Sequence, residues 1–301
     1  MKRVTVAGAG IVALVLLLAP APARAATREY WVAAVPSTWN VVPNGRNPIE
    51  GERYTPDKTT MRTIVYEQFT RGWRRRLPQQ TRIPGPLLRA RVGDDILVHF
   101  ANRDTAFKRP HSMHFHGVHY PFGSDGSFIP GFSGRGGDVE PGQTFTYRLR
   151  AGVDSAGVWP YHDHSPSMMD SIAGGLYGAL SILPQGVPRA DREFVTFFES
   201  TLGFETINGR AFVGNTPVLH SRVGETVQWD VLALGDEHHT FHVHGHRWRD
   251  PDGTSIDTRT IGPAESFSFR IKEDAPGTWL YHCHVEQHMM RGMIGLYRVR
   301  R

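Results

Sequence analysis

This sequence contains little cysteine, few long apolar runs and little net charge. Its 301 residues include one cysteine, Cys283, and carry a formal charge of +5. One cysteine excludes an internal disulfide, so the thiol is reactive, intermolecular or a metal ligand. The apolar run at residues 6–20 is shorter than the ~20 residues that cross a bilayer, so we expect no membrane span. No long run has the helical period, which excludes a mainly helical fold.

The first 25 residues have the pattern of a secretory signal peptide. Lys2 and Arg3 precede the apolar run, and Ala23-Arg24-Ala25 is a small-residue cleavage pattern. We therefore expect residues 1–25 to direct export to the periplasm or the extracellular space. The tandem Lys2-Arg3 falls short of a twin-arginine signal, so the export route stays open. Removing this segment lowers the formal charge from +5 to +2, which leaves no electrostatic case for nucleic-acid binding.

Short β-type runs, separated by glycine and proline, make up most of the remaining chain. The sequence contains 32 glycines and 21 prolines. Short helical turns fit in the loops after Ser165 and His284. Alternating apolar or β-branched residues occur at 63–69, 95–101, 144–149, 226–231 and 266–271. The pattern predicts an all-β protein.

Five motifs recur in the same order in the second half of the chain. Residues 91–94 (RVGD) match residues 222–225 (RVGE), and the longest match pairs residues 157–164 (GVWPYHDH) with residues 277–284 (GTWLYHCH). We infer two tandem copies of one β-domain, at residues 26–185 and 186–301. The number of strands and turn signals in each copy predicts a Greek-key β-sandwich.

Most of the 16 histidines cluster in four motifs, two in each copy. On a β-strand, a His-x-His pair places both imidazoles on one face, because side chains alternate. Imidazole binds copper, zinc, iron or nickel, so these pairs alone leave the metal open. The motifs are His114-x-His116, His162-x-His164, His239-x-x-His242-x-His244, and His282-Cys283-His284 followed by His288 and Met293.

Cys283 narrows the choice of metal. On a strand its side chain faces away from His282 and His284, so it can bind one metal while they bind another. Cys283, His288, an earlier histidine and Met293 form the His₂Cys-plus-Met ligand set of a blue-copper site. A structural zinc site uses only four ligands. The segment from His284 to His288 lacks the glutamate placement of a His-Glu-x-x-His zinc protease.

In these motifs the sequence resembles the multicopper oxidases, and its length resembles that of the two-domain (small) bacterial laccases. The resemblance implies two cupredoxin-like domains and four coppers per chain: one type 1, one type 2 and two type 3. It implies a type 1 copper at His239, Cys283, His288 and Met293, and a type 2 copper at His114 and His242. It implies one type 3 copper at His116, His162 and His284, and the other at His164, His244 and His282.

The repeat implies that the first copy has lost its type 1 site. Asp163 and Leu176 stand where Cys283 and Met293 stand in the second copy. His111 matches His239 but has no thiol partner, so we expect it to be a relic without a metal. It belongs to a set of six histidines that we expect at the surface or behind the ligands: His99, His111, His119, His220, His238 and His246.

Tyr120 and Asp125 also fit the small laccases. In that family the matching tyrosine lies near the type 2 copper and the matching aspartate relays protons, so the resemblance implies these roles here. The alternative is a packed aromatic ring and a turn aspartate, because Ser-Asp-Gly is typical of turns.

The resemblance implies an oxidase that takes single electrons from phenols or similar small donors, at His288, and reduces O₂ to water. The alternatives are a cuprous or other metal-ion oxidase, a copper nitrite reductase and a non-catalytic cupredoxin electron carrier. A metal-ion oxidase usually has a methionine-rich insertion, whereas Met168-Met169 and Met289-Met290 are isolated pairs. The small laccases are homotrimers whose copper clusters lie between chains, so we expect a homotrimer here.

Overall fold

The structure, a computed structural model, describes residues 25–79 and 81–301. Apart from Ala25, the predicted signal peptide lies outside the described residues. Strands dominate, and the α-helices within the described ranges are α1 (Pro56–Thr59), α2 (Met168–Ala173) and α3 (Glu286–Met290). The last two are the helical turns expected after Ser165 and His284. None of these helices has the length and apolar character that a membrane crossing requires. The predicted all-β class is confirmed.

The first half of the chain forms a β-sandwich. Its strands are β1 (Thr27–Asn40), β2 (Thr60–Phe69), β3 (Leu88–Arg91), β4 (Asp95–Asn102), β5 (His114–Phe115), β6 (Thr144–Arg150), β7 (Gly157–His162) and β8 (Tyr177–Leu183). One sheet has the strand order β2-β1-β4-β6 and the other has the order β3-β8-β7-β5. The chain therefore crosses repeatedly between the sheets, as it does in Greek-key sandwiches.

The second half repeats this arrangement. Its strands are β9 (Arg192–Thr201), β10 (Phe204–Ile207), β11 (Val218–Arg222), β12 (Thr226–Ala233), β13 (His239–Val243), β14 (Trp248–Arg249), β15 (Ser255–Ile256), β16 (Thr258–Ile261), β17 (Ser266–Lys272), β18 (Gly277–Cys283) and β19 (Ile294–Arg300). The two main sheets have the orders β10-β9-β12-β17 and β11-β19-β18-β13-β16, and β14 pairs with β15.

Strand register places the histidine motifs of the two halves in equivalent positions. β5 pairs with β7 so that His114 is opposite His162, and β13 pairs with β18 so that His242 is opposite His282. The parallel pairs β1–β4 and β3–β8 recur as β9–β12 and β11–β19. The sequence repeat is therefore also a structural repeat, and the predicted tandem cupredoxin-like sandwiches are confirmed.

Each half has its own apolar core, and a third apolar cluster joins the halves. Trp39 and Tyr177 of the first half are buried in this cluster with Phe197 and Phe212 of the second half. Trp39 Nε1 also donates a hydrogen bond to the Gly209 carbonyl at 2.6 Å. Separating the halves would expose these side chains to water, so the apolar cluster fixes how the halves are oriented.

A carboxyl pair of one fully buried and one half-buried residue lies where the two halves meet. Glu193 on β9 accepts hydrogen bonds from Arg89 and Ser181 of the first half, at 2.7 and 2.9 Å. Asp230 on β12 is fully buried, and its Oδ2 has no hydrogen-bond partner among the described residues. Burial, together with the negative charge of Glu193, raises the pKa of Asp230 to about 7. Asp230 therefore keeps its proton in the folded protein at mildly acidic pH.

Asp230→Asn is expected to change how stability depends on pH. The pKa of Asp230 rises from 3.8 to about 7 on folding, so its contribution to stability is present at low pH and is lost as pH rises through that range. Asparagine does not ionise. The unfolding free energy of the variant minus that of wild type, from urea titrations, should therefore be about 1 to 3 kcal/mol more positive at about pH 8 than at about pH 5.

The exposed carboxylate Asp274 provides the control, because Asp274→Asn removes the same charge without a burial cost. A difference for Asp230→Asn that stays constant between the two pH values would contradict a buried, protonated Asp230.

Candidate metal centres

The ligand set predicted for the type 1 copper converges at one end of the second sandwich. The Nδ1 atoms of His239 and His288 are 3.1 Å apart, and they lie 3.9 and 3.7 Å from Cys283 Sγ. Cys283 and Met293 are both fully buried. The Cys283 N–H donates to the Met293 carbonyl at 3.1 Å, which holds the methionine beside the thiol. Two imidazole nitrogens, a thiol and a thioether are donors that copper prefers.

Burial keeps His239 and Cys283 of this ligand set uncharged until a cation binds. Burial, aided by His288 and His238, lowers the pKa of His239 to about 4, so its imidazole is neutral and able to bind a metal near neutral pH. Burial raises the pKa of the Cys283 thiol, although the Thr240 N–H donates to Sγ at 3.3 Å. A bound metal ion is what converts such a thiol to the thiolate. The residues therefore fit a copper site.

The neighbours of Cys283 belong to a second group of ligands, made of His242, His244, His282 and His284. His282 Nδ1 donates to the Cys283 carbonyl at 2.8 Å, which leaves Nε2 to bind a metal. His244 Nε2 lies 3.1 Å from His282 Nε2. Burial lowers the pKa of His282 to about 4, so this imidazole is also neutral. His244 and His284 are exposed in the single chain.

The first half carries a matching group, made of His114, His116, His162 and His164. His116 Nε2 and His162 Nε2 are 3.1 Å apart. The His114 and His162 Nδ1 atoms donate to the carbonyls of Asp125 and Asp163 at 2.7 and 2.9 Å, so both rings present Nε2. Burial lowers the pKa of His116 and that of His162 to about 4 each.

These two groups of histidines do not form one compact ligand set in the described part of a single chain. Among the described residues, each compact group of metal-binding side chains comes from one half of the chain. Neither group alone supplies the eight imidazoles that the predicted cluster uses. His116 and His162 are predicted to bind one type 3 copper, and His244 and His282 are predicted to bind the other. The short distances within these two pairs agree with that scheme. The assignment of ligands to individual coppers stays a prediction.

The remaining six histidines differ in their surroundings. His119, His220 and His238 are exposed, whereas His99 stacks on Trp31. His246 Nε2 lies 3.1 Å from Glu273. His111 is only 2% exposed, so it is not a surface residue. Its ring lies between the buried carboxylates of Asp104 and Asp163, at 3.3 and 3.5 Å.

The structure places Tyr120 and Asp125 beside His114. The Tyr120 ring centroid is 6.2 Å from that of His114, and Asp125 Oδ1 is 3.6 Å from His114 Nδ1. Burial alone would raise the pKa of Asp125, but hydrogen bonds from Ser127 and the proximity of His114 hold it below its usual value. Asp125 is thus a carboxylate next to a ligand, and its role in proton transfer stays a prediction.

A group of carboxylates around His288 was not found by sequence analysis. Glu237 Oε2 lies 2.7 Å from His288 Nε2, and Glu205 offers an oxygen within 4.8 Å of both. Glu199 is 3% exposed, and its Oε2 has no hydrogen-bond partner among the described residues. Burial, with the nearby charge of Glu205, raises the pKa of Glu199 to about 8. Glu199 and Glu205 lie on the paired strands β9 and β10, whereas Glu237 comes from a separate segment, so no local motif signals the group.

A cavity of about 380 Å³ lies beside these carboxylates, between the two halves of the chain. Residues that line it include Glu199, Glu237, His162, Met168 and Met169. The methionine pair that is isolated in the sequence therefore lies near acidic side chains in the fold.

Comparisons with known proteins identify the family. Two family models, each described as multicopper oxidase, match residues 74–186 and 187–301. The chain therefore belongs to the multicopper oxidase family, in a two-domain form. Membership of this family implies that the protein binds copper, and the histidine and cysteine groups described above fit that metal.

Curated relatives are much longer than this chain. Ferroxidase HEPHL1 of Homo sapiens is 30% identical over 344 residues, which cover 91% of this chain and 29% of that protein. A probable nitrite reductase-hydroxylamine oxidoreductase fusion protein of Kuenenia stuttgartiensis is 32% identical over 241 residues, which cover 72% of this chain and 27% of that protein. The chain thus spans less than a third of the length of these relatives.

Solved structures share the fold. The structure described as a crystal structure of multicopper oxidase matches with a TM-score of 0.70 and 27% identity, covering 91% of this chain and 89% of that chain. A copper nitrite reductase from Nitrosomonas europaea matches with a TM-score of 0.69 at 21% identity, covering 91% and 94% of the two chains. At that identity the likeness shows the fold alone.

Cys283→Ser is expected to abolish the visible charge-transfer band of the copper-loaded protein, because the thiolate is the defining ligand of a blue-copper site. For the same reason it should remove about one copper per chain. Met293→Leu is the matched control, since Leu176 already occupies this position in the first half. That variant should stay blue and show a higher reduction potential, because the axial ligand tunes the potential. Visible absorption spectra, copper analysis and redox titration test both variants, and a blue Cys283→Ser protein would contradict the site.

Proposed function

We propose that the protein is a laccase-type multicopper oxidase that takes electrons singly from small donors and reduces O₂ to water. Four coppers per chain, assigned to the ligands predicted above, would supply the one-electron chemistry and the O₂ reduction. The observation that carries the proposal is the sequence His282-Cys283-His284 at the end of β18. It places ligands of the donor-side site and of the oxygen-side site on adjacent residues, joined by covalent bonds.

The residues around both sites suit this function. His288 is partly exposed, so donors can approach its ring edge, whereas Cys283 and Met293 are shielded from solvent. Backbone carbonyls fix the rings of His114, His162 and His282, which reduces the reorganisation that electron transfer requires. The position of Asp125, 3.6 Å from His114 Nδ1, supports its proposed role in passing protons, and Tyr120 lies beside the same ring.

We further propose a homotrimer in which each oxygen-reducing cluster lies between the first half of one chain and the second half of the next. The separation of the two histidine groups and the exposure of His244 and His284 support this assembly. A closed ring with one type of heterologous contact yields three equivalent clusters. The signal-like pattern of residues 1–25 makes export to the periplasm or extracellular space part of the proposal.

Phenols are the donors that the likeness to laccases suggests, but the carboxylates near His288 favour a second candidate, the oxidation of a metal cation. Glu205 and Glu237 place negative charge within reach of the His288 ring, and a cation such as Fe(II) or Cu(I) is attracted to such a group. Carboxylates and methionine thioethers are suitable ligands for these ions, and Met168 and Met169 line the adjoining cavity. The ferroxidase name of one relative agrees with this candidate.

Mixing two inactive variants is expected to restore activity if the clusters lie between chains. His116→Ala damages the first half and His284→Ala damages the second half. After complete exchange of subunits, random pairing should rebuild about a quarter of the clusters from undamaged halves. Oxygen consumption before and after exchange measures this recovery. His116→Ala mixed with His162→Ala is the matched control, because both changes damage the first half and no intact cluster can form. Activity that does not return despite proven exchange would contradict shared clusters.

Neutralising the carboxylates separates the two donor classes. If metal cations are the donors, Glu205→Gln should lower kcat/KM for Fe(II) or Cu(I) by about tenfold, or ~1.4 kcal/mol, while changing kcat/KM for a neutral phenol by less than about twofold. Glu286→Gln on α3 is the matched control, because Glu286 is an exposed acid two residues from His288. Unchanged metal oxidation in Glu205→Gln would eliminate the second candidate and leave phenols as the donors.

A further inference from the structure

We propose that Asp163, with His111 and Asp104, forms a metal-free pin that holds the four cluster histidines of the first half in place. In the second half, copper and Cys283 would provide this restraint. The role of the pin rests on the proposed copper cluster, whereas the pin itself follows from the contacts between Asp163, His111 and Asp104.

Asp163 occupies the structural place of Cys283. The Asp163 N–H donates to the Leu176 carbonyl at 3.1 Å, as the Cys283 N–H donates to the Met293 carbonyl at 3.1 Å. Ser112, which follows His111, and Thr240, which follows His239, make equivalent contacts. The Ser112 N–H donates to Asp163 Oδ1 at 2.7 Å, and the Thr240 N–H donates to Cys283 Sγ at 3.3 Å. A carboxylate has thus replaced the thiol at an otherwise unchanged backbone position.

His111 and Asp104 complete the pin. Asp104 Oδ2 lies 3.3 Å from His111 Nε2, within hydrogen-bonding distance. Asp163 Oδ2 lies 3.5 Å from His111 Nδ1, a close contact in which Nδ1 has no hydrogen-bond partner among the described residues. Asp104 itself is anchored, because its carboxylate accepts backbone hydrogen bonds from Ala106, Phe107 and Arg109 at 2.8 to 3.1 Å. The three members of the pin are at most 2% exposed, and breaking such a buried network leaves unpaired polar groups, which is strongly destabilising.

The pin connects the two segments that carry the cluster ligands. Ser112 lies two residues before His114, and its Oγ accepts a hydrogen bond from the His164 N–H at 3.0 Å. On the other segment, Ser165 Oγ donates to Asp163 Oδ2 at 2.7 Å. Asp163 therefore binds both segments through one carboxylate, and neither contact needs a metal.

The equivalent contacts in the second half are weaker without copper. Cys283 Sγ lies 3.7 and 3.9 Å from the ring nitrogens of His288 and His239, distances at which a neutral thiol makes only weak hydrogen bonds. We therefore infer that the first-half histidines are organised before copper binds, whereas the second-half histidines become organised when it binds.

Hydrogen exchange on the full chain tests this inference, with the copper-free protein compared with protein loaded by Cu(I) alone. Amides in residues 111–116 and 162–165 should be equally protected from exchange, within about threefold, in both forms. The protection of amides in residues 282–288 should rise by about tenfold or more on loading. Poor protection of the first-half segments in the copper-free chain would overturn the inference. This readout needs no cluster, so it is independent of whether the proposed oxidase function is correct.

Variants at the two equivalent positions sharpen the test. Asp163→Ala should lower the protection of residues 111–116 and 162–165 by about tenfold or more and reduce copper at the cluster, while the blue band of the second half remains. Cys283→Ala should leave protection of the first-half segments unchanged. Unchanged protection in Asp163→Ala would overturn the pin.

Asp163→Asn keeps an acceptor for the Ser112 N–H but loses the charge that faces His111, so it serves where Asp163→Ala fails to fold. It should lie between wild type and Asp163→Ala in protection and in cluster copper, with the blue band retained. Wild-type protection in Asp163→Asn would overturn the part assigned to the contact between the Asp163 carboxylate and His111.

Discussion

The alternation of side chains along β18 is the constraint on which the rest of the site depends. It directs Cys283 toward His239 and His288, and it directs His282 toward His242 and His244 on the neighbouring strand. The sandwich core and the β13–β18 pairing then bring the members of each group together. Ligands of two different sites are therefore separated by a single peptide bond, which is the shortest covalent connection that a protein chain can provide.

The apolar contact between the halves imposes a second constraint. It fixes the two sandwiches in an orientation that keeps the two groups of cluster histidines apart, while His244 and His284 remain exposed. Exposed metal ligands would serve little purpose in a monomer. Their exposure fits the proposal that each cluster is shared between two chains. The same contact adjoins the acidic residues near His288. In the proposed assembly, packing within one chain would therefore shape the donor side, and association would complete the oxygen side.

Local patterns explain what the sequence predicts well. The period-two alternation marks most of the major strands, and the repeat identifies the equivalence of His114 with His242 and of Asp163 with Cys283. Long-range contacts explain what it does not predict. Glu199, Glu205 and Glu237 meet near His288 only after folding, and Asp104 carries no motif that links it to His111. The repeat shows that the first half has lost the thiol, but only packing shows that buried carboxylates have replaced it.

The most direct test of the central claim is native mass spectrometry of the copper-loaded protein, with copper counted for the trimer and for chains released from it. The account predicts a trimer with about four coppers per chain, and released chains that keep about one copper and the blue band, because only the type 1 ligands lie wholly within one chain. A monomer that holds about four coppers and reduces O₂ would contradict it.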